Sequence, residues 1–288
     1  MARLLLDHGG ARGNAPANGV GGLPGLHIAY HPAPALIPGP AAAAYDRAMN
    51  MPEDGPSGSG PAASGSGPAE PGPVRRERLL LAAALAEAGP DAATKCAGWD
   101  ARDLAAHLVV REGRPDAAPG MVLSPLSFYT ERVQRRTVRA VPFDRLVERF
   151  RQGPPKFSPY ALPGVDKIAN GVEFFVHHED VLRARPEWRP RDISPELGEV
   201  LWRRIKIARF VLRKVQVEVT LVQPDGRSLR VSGRGPAGRR AGARGAVRVH
   251  GPVGELVLWA LGRRDVADVR LTGDTDAVKT LTETGWSL

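Results

Sequence analysis

The chain has a single cysteine, Cys96, in 288 residues, so no intramolecular disulfide can form. A reducing compartment is the natural expectation. Long apolar runs are missing as well: none approaches the ~20 residues needed to span a bilayer. Leu4, Leu5 and Leu6 are followed at once by Asp7 and a Gly-rich stretch, which is too short and too broken for a signal-peptide core. These absences predict a cytoplasmic protein without a membrane partner. Aromatic residues are only 6% of the chain, and no strand interleaves them with basic residues as a base-stacking platform would.

What is present is ordinary globular material. The apolar share is 42% and the charged share 25%, and the length suffices for two domains with real cores. The formal net charge is +9. It rests mostly on arginine in a chain also rich in Ala, Gly and Pro, a pattern that GC-rich codon usage produces without any anionic partner. The basic residues look densest between Arg203 and Arg244.

Residues 1–72 read as a disordered tail. The segment 55–73, GPSGSGPAASGSGPAEPGP, has the composition of a flexible linker and cannot bury enough apolar surface to offset its ordering entropy. His8, His27 and His31 lie in the tail outside any ligand pattern. Initiation at Met49 or Met51 would leave the upstream residues outside the native protein.

Helical patterns follow over 75–89, 100–113, 127–141, 142–150, 165–185 and 195–214, separated by Gly and Pro stops. Asp100 is placed to cap the second of these, with Asp103 in its first turn. The pattern then changes. Residues 215–222 alternate and are β-branched, and Pro224, Asp225 and Gly226 form a turn into 227–232, a hairpin signal. Further strands are expected at 246–251 and 268–273, with helices at 252–264 and 274–285. The predicted fold is α+β: a helical unit over 73–214 and a small α+β unit over 215–288.

The informative constellation lies in the helices. Glu173 and His177 are four residues apart, within about 40° of one another on one helix face. They can aim a carboxylate oxygen and an imidazole nitrogen at one divalent metal ion. His107 lies on the inward face of its own helix beside Leu104 and Leu108, and supplies a third ligand. Three such ligands leave one position open, as catalytic zinc sites do. Asp180 sits one turn beyond His177 and can hydrogen-bond a ligand from behind. His178 points about 100° away from His177, too far round to join the same ion. Zinc suits this donor set best, with nickel, iron and manganese also compatible. Pairs of this kind also occur as solvated surface pairs, and inward histidines as hydrogen-bonded core residues.

Residues 96–108, CAGWDARDLAAHL, and 173–180, EFFVHHED, together resemble the metal-binding bundle of the mycothiol-dependent maleylpyruvate isomerase family, a branch of the DinB-like four-helix proteins. Trp99, Asp103, Leu104, His107 and Leu108 match the first part of the family's motif; Glu173 and His177 match the second. The resemblance implies the same three ligands. Residues 111–120 look like an actinobacterial branch whose members are labelled only as metal-binding. Residues 251–264 and 269–274 resemble the family's sterol-carrier-like C-terminal domain. Carried over, the family's chemistry implies that the metal activates the thiol of mycothiol for attack on a small electrophile, giving transfer or isomerisation.

Two other classes stand beside this one. One is a metal-binding protein without catalysis; the other, a distant third, is a nucleic-acid binder acting through the Arg-rich residues 203–245. Against it, 203–214 reads as an amphipathic helix whose Arg and Lys face solvent, with Ile205, Phe210 and Val211 buried. Cys96 is expected to pack rather than react. Arg111, Glu112, Arg114 and Asp116 follow His107 by one to three turns of chain and could line the pocket mouth; surface ion pairs are the favoured expectation.

Overall fold

The computed structural model describes residues 70–114, 116–117, 127–162, 170–232 and 245–286. The expected tail, residues 1–72, lies almost wholly outside them, as does most of the Arg-rich segment 233–245.

Helix α1 (Pro73–Ala88) starts with proline in its first turn and stops at Gly89. Helix α2 (Ala101–Gly113) is capped by Asp100, whose side chain accepts the Asp103 N–H at 2.8 Å. Helices α3 (Ser127–Ala140) and α4 (Phe143–Gln152) follow, and Pro142 separates them. Helix α5 (Gly171–Leu182) carries the Glu-x-x-x-His pair. Helix α6 (Pro195–Arg204) is capped by Ser194.

The single long helix expected over 195–214 is broken. After α6 come a 3-10 turn (Ile205–Ile207), the short helix α7 (Ala208–Val211) and a second 3-10 turn (Leu212–Lys214). Ile205, Ile207 and Val211 are β-branched and crowd the preceding turn, and 3-10 turns tighten the chain here. Ile205, Ala208 and Leu212 are buried as expected of a helical stripe. Phe210, however, is 57% exposed rather than buried, with the Arg213 guanidinium 4.1 Å from its ring centroid.

The C-terminal part holds strands β1 (Glu218–Val222), β2 (Ser228–Arg230), β3 (Ala246–His250) and β4 (Arg270–Gly273), with helices α8 (Val253–Ala260) and α9 (Thr275–Glu283). Strand order is β2-β1-β3-β4. The expected hairpin pairs β1 with β2 antiparallel, turning at Gly226 with φ 87°. β1 and β3 are parallel, β3 and β4 antiparallel. The fold is thus mixed helix and sheet, as the pattern predicted. No described helix is long and apolar enough to cross a membrane.

Two cores result. One gathers Leu81 and Leu85 of α1, Leu104 and Leu108 of α2, Leu146 and Phe150 of α4, and Phe174. The other gathers Leu201, Ile205 and Leu212, the inward residues Val219, Leu221, Val247 and Val249 of the sheet, Leu256 and Trp259 of α8, and Phe175. Adjacent residues on a helix point about 100° apart, so Phe174 faces one core and Phe175 the other. Helix α5 is therefore held on two sides by packing, which fixes the direction of its remaining face.

Candidate metal centre

That remaining face carries Glu173 and His177. His107, reaching in from α2, places Nε2 3.1 Å from Glu173 Oε1; His177 Nε2 lies 3.3 Å from the same oxygen. The ligand atoms of His107, Glu173 and His177 all lie within 4.8 Å of one another. A tetrahedral ion with bonds of 2.0–2.1 Å needs donors roughly 3.4 Å apart. The donor set therefore fits a zinc-type ion in chemistry and in spacing. The three side chains are 13%, 27% and 11% exposed, so the group is reachable from solvent rather than sealed.

The surroundings set the charge of each group. Burial holds His107 below the usual imidazole range, against the pull of Glu173, which favours the neutral form that coordinates metals. Trp99 packs on its ring, centroid to centroid 4.9 Å. Burial works against charge on Glu173, yet hydrogen bonds from His107 and His177 and the field of Arg111 hold it well below the ordinary carboxylate value. His177 is likewise desolvated, but hydrogen bonds with Asp180, Cys96 and Glu173 raise it well above the usual range.

Asp180 stands where the sequence put it. Its Oδ2 lies 2.9 Å from His177 Nδ1, which makes Nδ1 the protonated nitrogen and turns Nε2 toward Glu173. The carboxylate is fully buried. Burial opposes its charge, but His177 and Arg263 outweigh that and hold it at about 2. His178 diverges as its angle required: Nδ1 hydrogen-bonds Glu77 Oε1 at 2.9 Å, on another side of α5.

Three features were missed or ranked second from sequence. Arg263, just past α8, donates Nε to Asp180 Oδ1 at 2.9 Å and Nη2 to Oδ2 at 2.7 Å. It lies 83 residues from Asp180, so no local pattern could reveal the contact. Arg111 and Glu112 are the second feature, and they correct the surface-pair expectation. Arg111 Nε lies 3.3 Å from Glu173 Oε1, its Nη1 donates to Asn170 Oδ1, and its side chain is 11% exposed. Glu112 is buried and takes a bidentate pair from Arg78, both bonds 2.6 Å, and a bond from Asn170 Nδ2 at 2.9 Å. The i, i+4 spacing of Arg111 from His107 was the available signal. Only Arg114 and Asp116 form the exposed pair that was expected.

Cys96 is the third. It packs against the first core as expected, but its S–H also donates to Asp180 Oδ2 at 3.1 Å, and Sγ lies 3.6 Å from His177 Nδ1. Lys95 N–H on Asp180 O at 2.9 Å ties this loop to α5. Cys96, His177 and Asp180 form a second set with metal-ligand spacing. Both Asp180 oxygens there already meet the Arg263 guanidinium, whose fixed charge opposes a dication.

Residues 72–159 match the model of the mycothiol maleylpyruvate isomerase N-terminal domain. This is the family that the sequence resembled. The match contains Trp99, Asp103 and His107 and ends before Glu173 and His177, so the first candidate ligand lies inside the recognised segment and the other two candidates come beside it through folding. No curated protein and no solved structure matches the chain.

Proposed function

We propose that the chain binds one divalent metal ion, zinc first among the candidates, through His107, Glu173 and His177, and acts as a mycothiol-dependent transferase or isomerase on a small electrophile. On this reading the helices form a DinB-like metal-binding bundle and residues 215–288 a sterol-carrier-like unit. The observation that carries it is the convergence of two imidazoles and a carboxylate in a solvent-reachable group, with Asp180 holding the far side of His177. The family match of residues 72–159 supports the thiol class.

A bound zinc-type ion supplies a Lewis acid that favours the thiolate form of an entering thiol. The protein's own residues do the rest. His107 presents neutral nitrogen, and Glu173 brings a negative charge that offsets part of the cation. Asp180 keeps the His177 ring from turning. Arg111 beside Glu173 and Arg263 on Asp180 keep those two carboxylates ionised and in place.

The test begins with elemental analysis of protein purified without added metal, where one ion per chain is expected. Cobalt substitution followed by titration with mycothiol should then add a sulfur-to-metal charge-transfer band in the near ultraviolet. An unchanged spectrum at millimolar thiol, with the ion still bound, would reject the thiol reading and leave a metal-binding protein of another kind.

A further inference from the structure

The two helices α3 and α4 carry an unbalanced charge. Residues 127–152 hold seven arginines against three acidic residues. By contrast, residues 70–114 hold seven basic residues against seven acidic ones. Codon bias raises arginine throughout a chain; it does not concentrate an uncompensated excess on two consecutive helices.

The excess is also ordered in space. On α3, Arg132, Arg136 and Arg139 fall within about 60° of one another and span about 10 Å of the axis. All three are exposed, while Thr130, Val133 and Gln134 on the opposite side are buried. On α4, Arg145 and Arg149 are exposed one turn apart and line a surface cleft of about 320 Å³ that runs from Ala140 to Gln152. The local acids are largely spoken for. Glu131 pairs with Arg135 at 3.5 Å, and Glu148 takes Arg151 at 2.7 Å and Gln152 at 2.8 Å. Among the described residues, Arg132, Arg136, Arg139, Arg145 and Arg149 make no ion pair.

We propose that the α3–α4 surface docks the phosphate backbone of duplex nucleic acid. Five arginine forks on adjoining helices complement a polyanion that carries one charge per ~1.7 Å of its axis. A bilayer is the poorer partner. An interfacial helix needs a broad apolar face, and α3 has spent its own on the bundle, leaving Phe128 as the large apolar side chain on the exposed side. Tyr129 is tied by its hydroxyl to Asp116 at 2.5 Å. One exposed phenylalanine also gives no run of stacking platforms for single strands, so contact is to backbone and independent of sequence. The surface is separate from the metal centre, and docking there does not depend on the proposed chemistry.

The probe is a fluorescein-labelled 20-bp duplex of arbitrary sequence, titrated with the full chain at 50 and 200 mM salt. Five phosphate contacts predict a log–log salt slope of about −4.5, a loss of about 500-fold over that range. Replacing Arg132→Gln, Arg136→Gln and Arg139→Gln together should flatten the slope to about −1.8, and the loss to about 12-fold. The pair Arg145→Gln and Arg149→Gln should flatten it by about two contacts. Arg203→Gln with Arg213→Gln should leave it unchanged. Far-ultraviolet circular dichroism and the thermal unfolding midpoint serve as the check that each variant is folded. Absent binding at 50 mM salt, an unchanged slope in the triple variant, or a slope that falls only in the Arg203/Arg213 variant would overturn the proposal. So would tighter binding of phosphatidylserine vesicles with the same arginine dependence.

Discussion

Replacing Asp180→Asn probes the support of the metal centre without touching a proposed ligand. The wild-type carboxylate is fully buried and receives four donors: His177 Nδ1 at 2.9 Å, Arg263 Nε and Nη2 at 2.9 and 2.7 Å, and the Cys96 thiol at 3.1 Å. An amide keeps the shape but gives up the charge, and charge-assisted hydrogen bonds are about twice as strong as neutral ones. It also has only one accepting oxygen, so its NH2 group faces an Arg263 donor in either orientation, and faces His177 as well when it takes the Oδ2 position. If the NH2 faces His177, Nδ1 must become an acceptor and Nε2 takes the proton, the wrong tautomer for coordination. Loss of such a buttress costs about 10–100-fold in metal affinity, or about 1.4–2.7 kcal/mol. The assay is competition against a chromophoric chelator at pH 7.5, with the folded fraction checked at the same temperature. The comparison variant is His178→Ala, which breaks a buried bond to Glu77 and destabilises the fold but leaves the ligand face intact. An Asp180→Asn affinity within twofold of wild type, or an equal loss in His178→Ala, would refute the reasoning.

His107→Ala and His177→Ala should each abolish stoichiometric metal by elemental analysis; retention of one ion per chain in either would show the ligands misassigned. Glu77 is buried against His178 and Arg191; burial opposes its charge, but these partners hold it below its ordinary value of 4.5. A carboxylate lowered on folding stabilises above its unfolded value and loses that contribution as pH falls through its folded value. Glu77→Gln should therefore cost about 3 kcal/mol at pH 7 and progressively less below pH 4.5, by urea denaturation; an equal deficit at pH 7 and pH 3.5 would contradict this. A Cβ on Gly254 would lie 2.9 Å from Phe175 Cζ, whereas one on Gly198 would meet Val253 Cγ1 at 3.6 Å. Gly254→Ala should thus destabilise by about 1–2 kcal/mol, and Gly198→Ala should stabilise by about 0.5–1 kcal/mol; thermal unfolding showing the same sign for both would sink the packing argument.

Periodic signals were legible because they are local. Asp100 capping α2, Gly226 turning the hairpin and Pro142 separating α3 from α4 each act within a few residues, and the structure shows each in that role. The angular argument on α5 separated His177 from His178 because a helix fixes directions in advance of any tertiary contact. The break after Arg204 was hidden, since Leu201, Ile205, Ala208 and Leu212 keep helical spacing through the 3-10 turns. Phe210 was misjudged because an apolar residue near a buried stripe gives no sign of which side it takes. Arg263 and the Arg78–Glu112 pair were illegible for a different reason: their partners lie 83 and 34 residues away.

Those distant charges explain why the donor set sits at the junction of the two cores. A chain of polar contacts runs from Arg78 through Glu112, Asn170 and Arg111 to Glu173, then through His177 and Asp180 to Arg263. It begins on α1 and ends beyond α8, so it joins the helical core to the sheet side through α5. A second link, outside this path, is Arg183, which donates to Glu179 of α5 at 2.6 Å and to Glu255 of α8 at 2.9 and 2.5 Å. Breaking one member of a buried ion pair costs about 3–5 kcal/mol, whereas surface pairs are worth about 0–1 kcal/mol. The burial of these charges thus makes their geometry stiff. A metal centre built on α5 inherits that stiffness from both sides. The two arginines that flank it belong to different cores: Arg111 sits beside Glu173 on the helical side, and Arg263 holds Asp180 behind His177 on the sheet side, so each carboxylate is fixed from a different half of the fold.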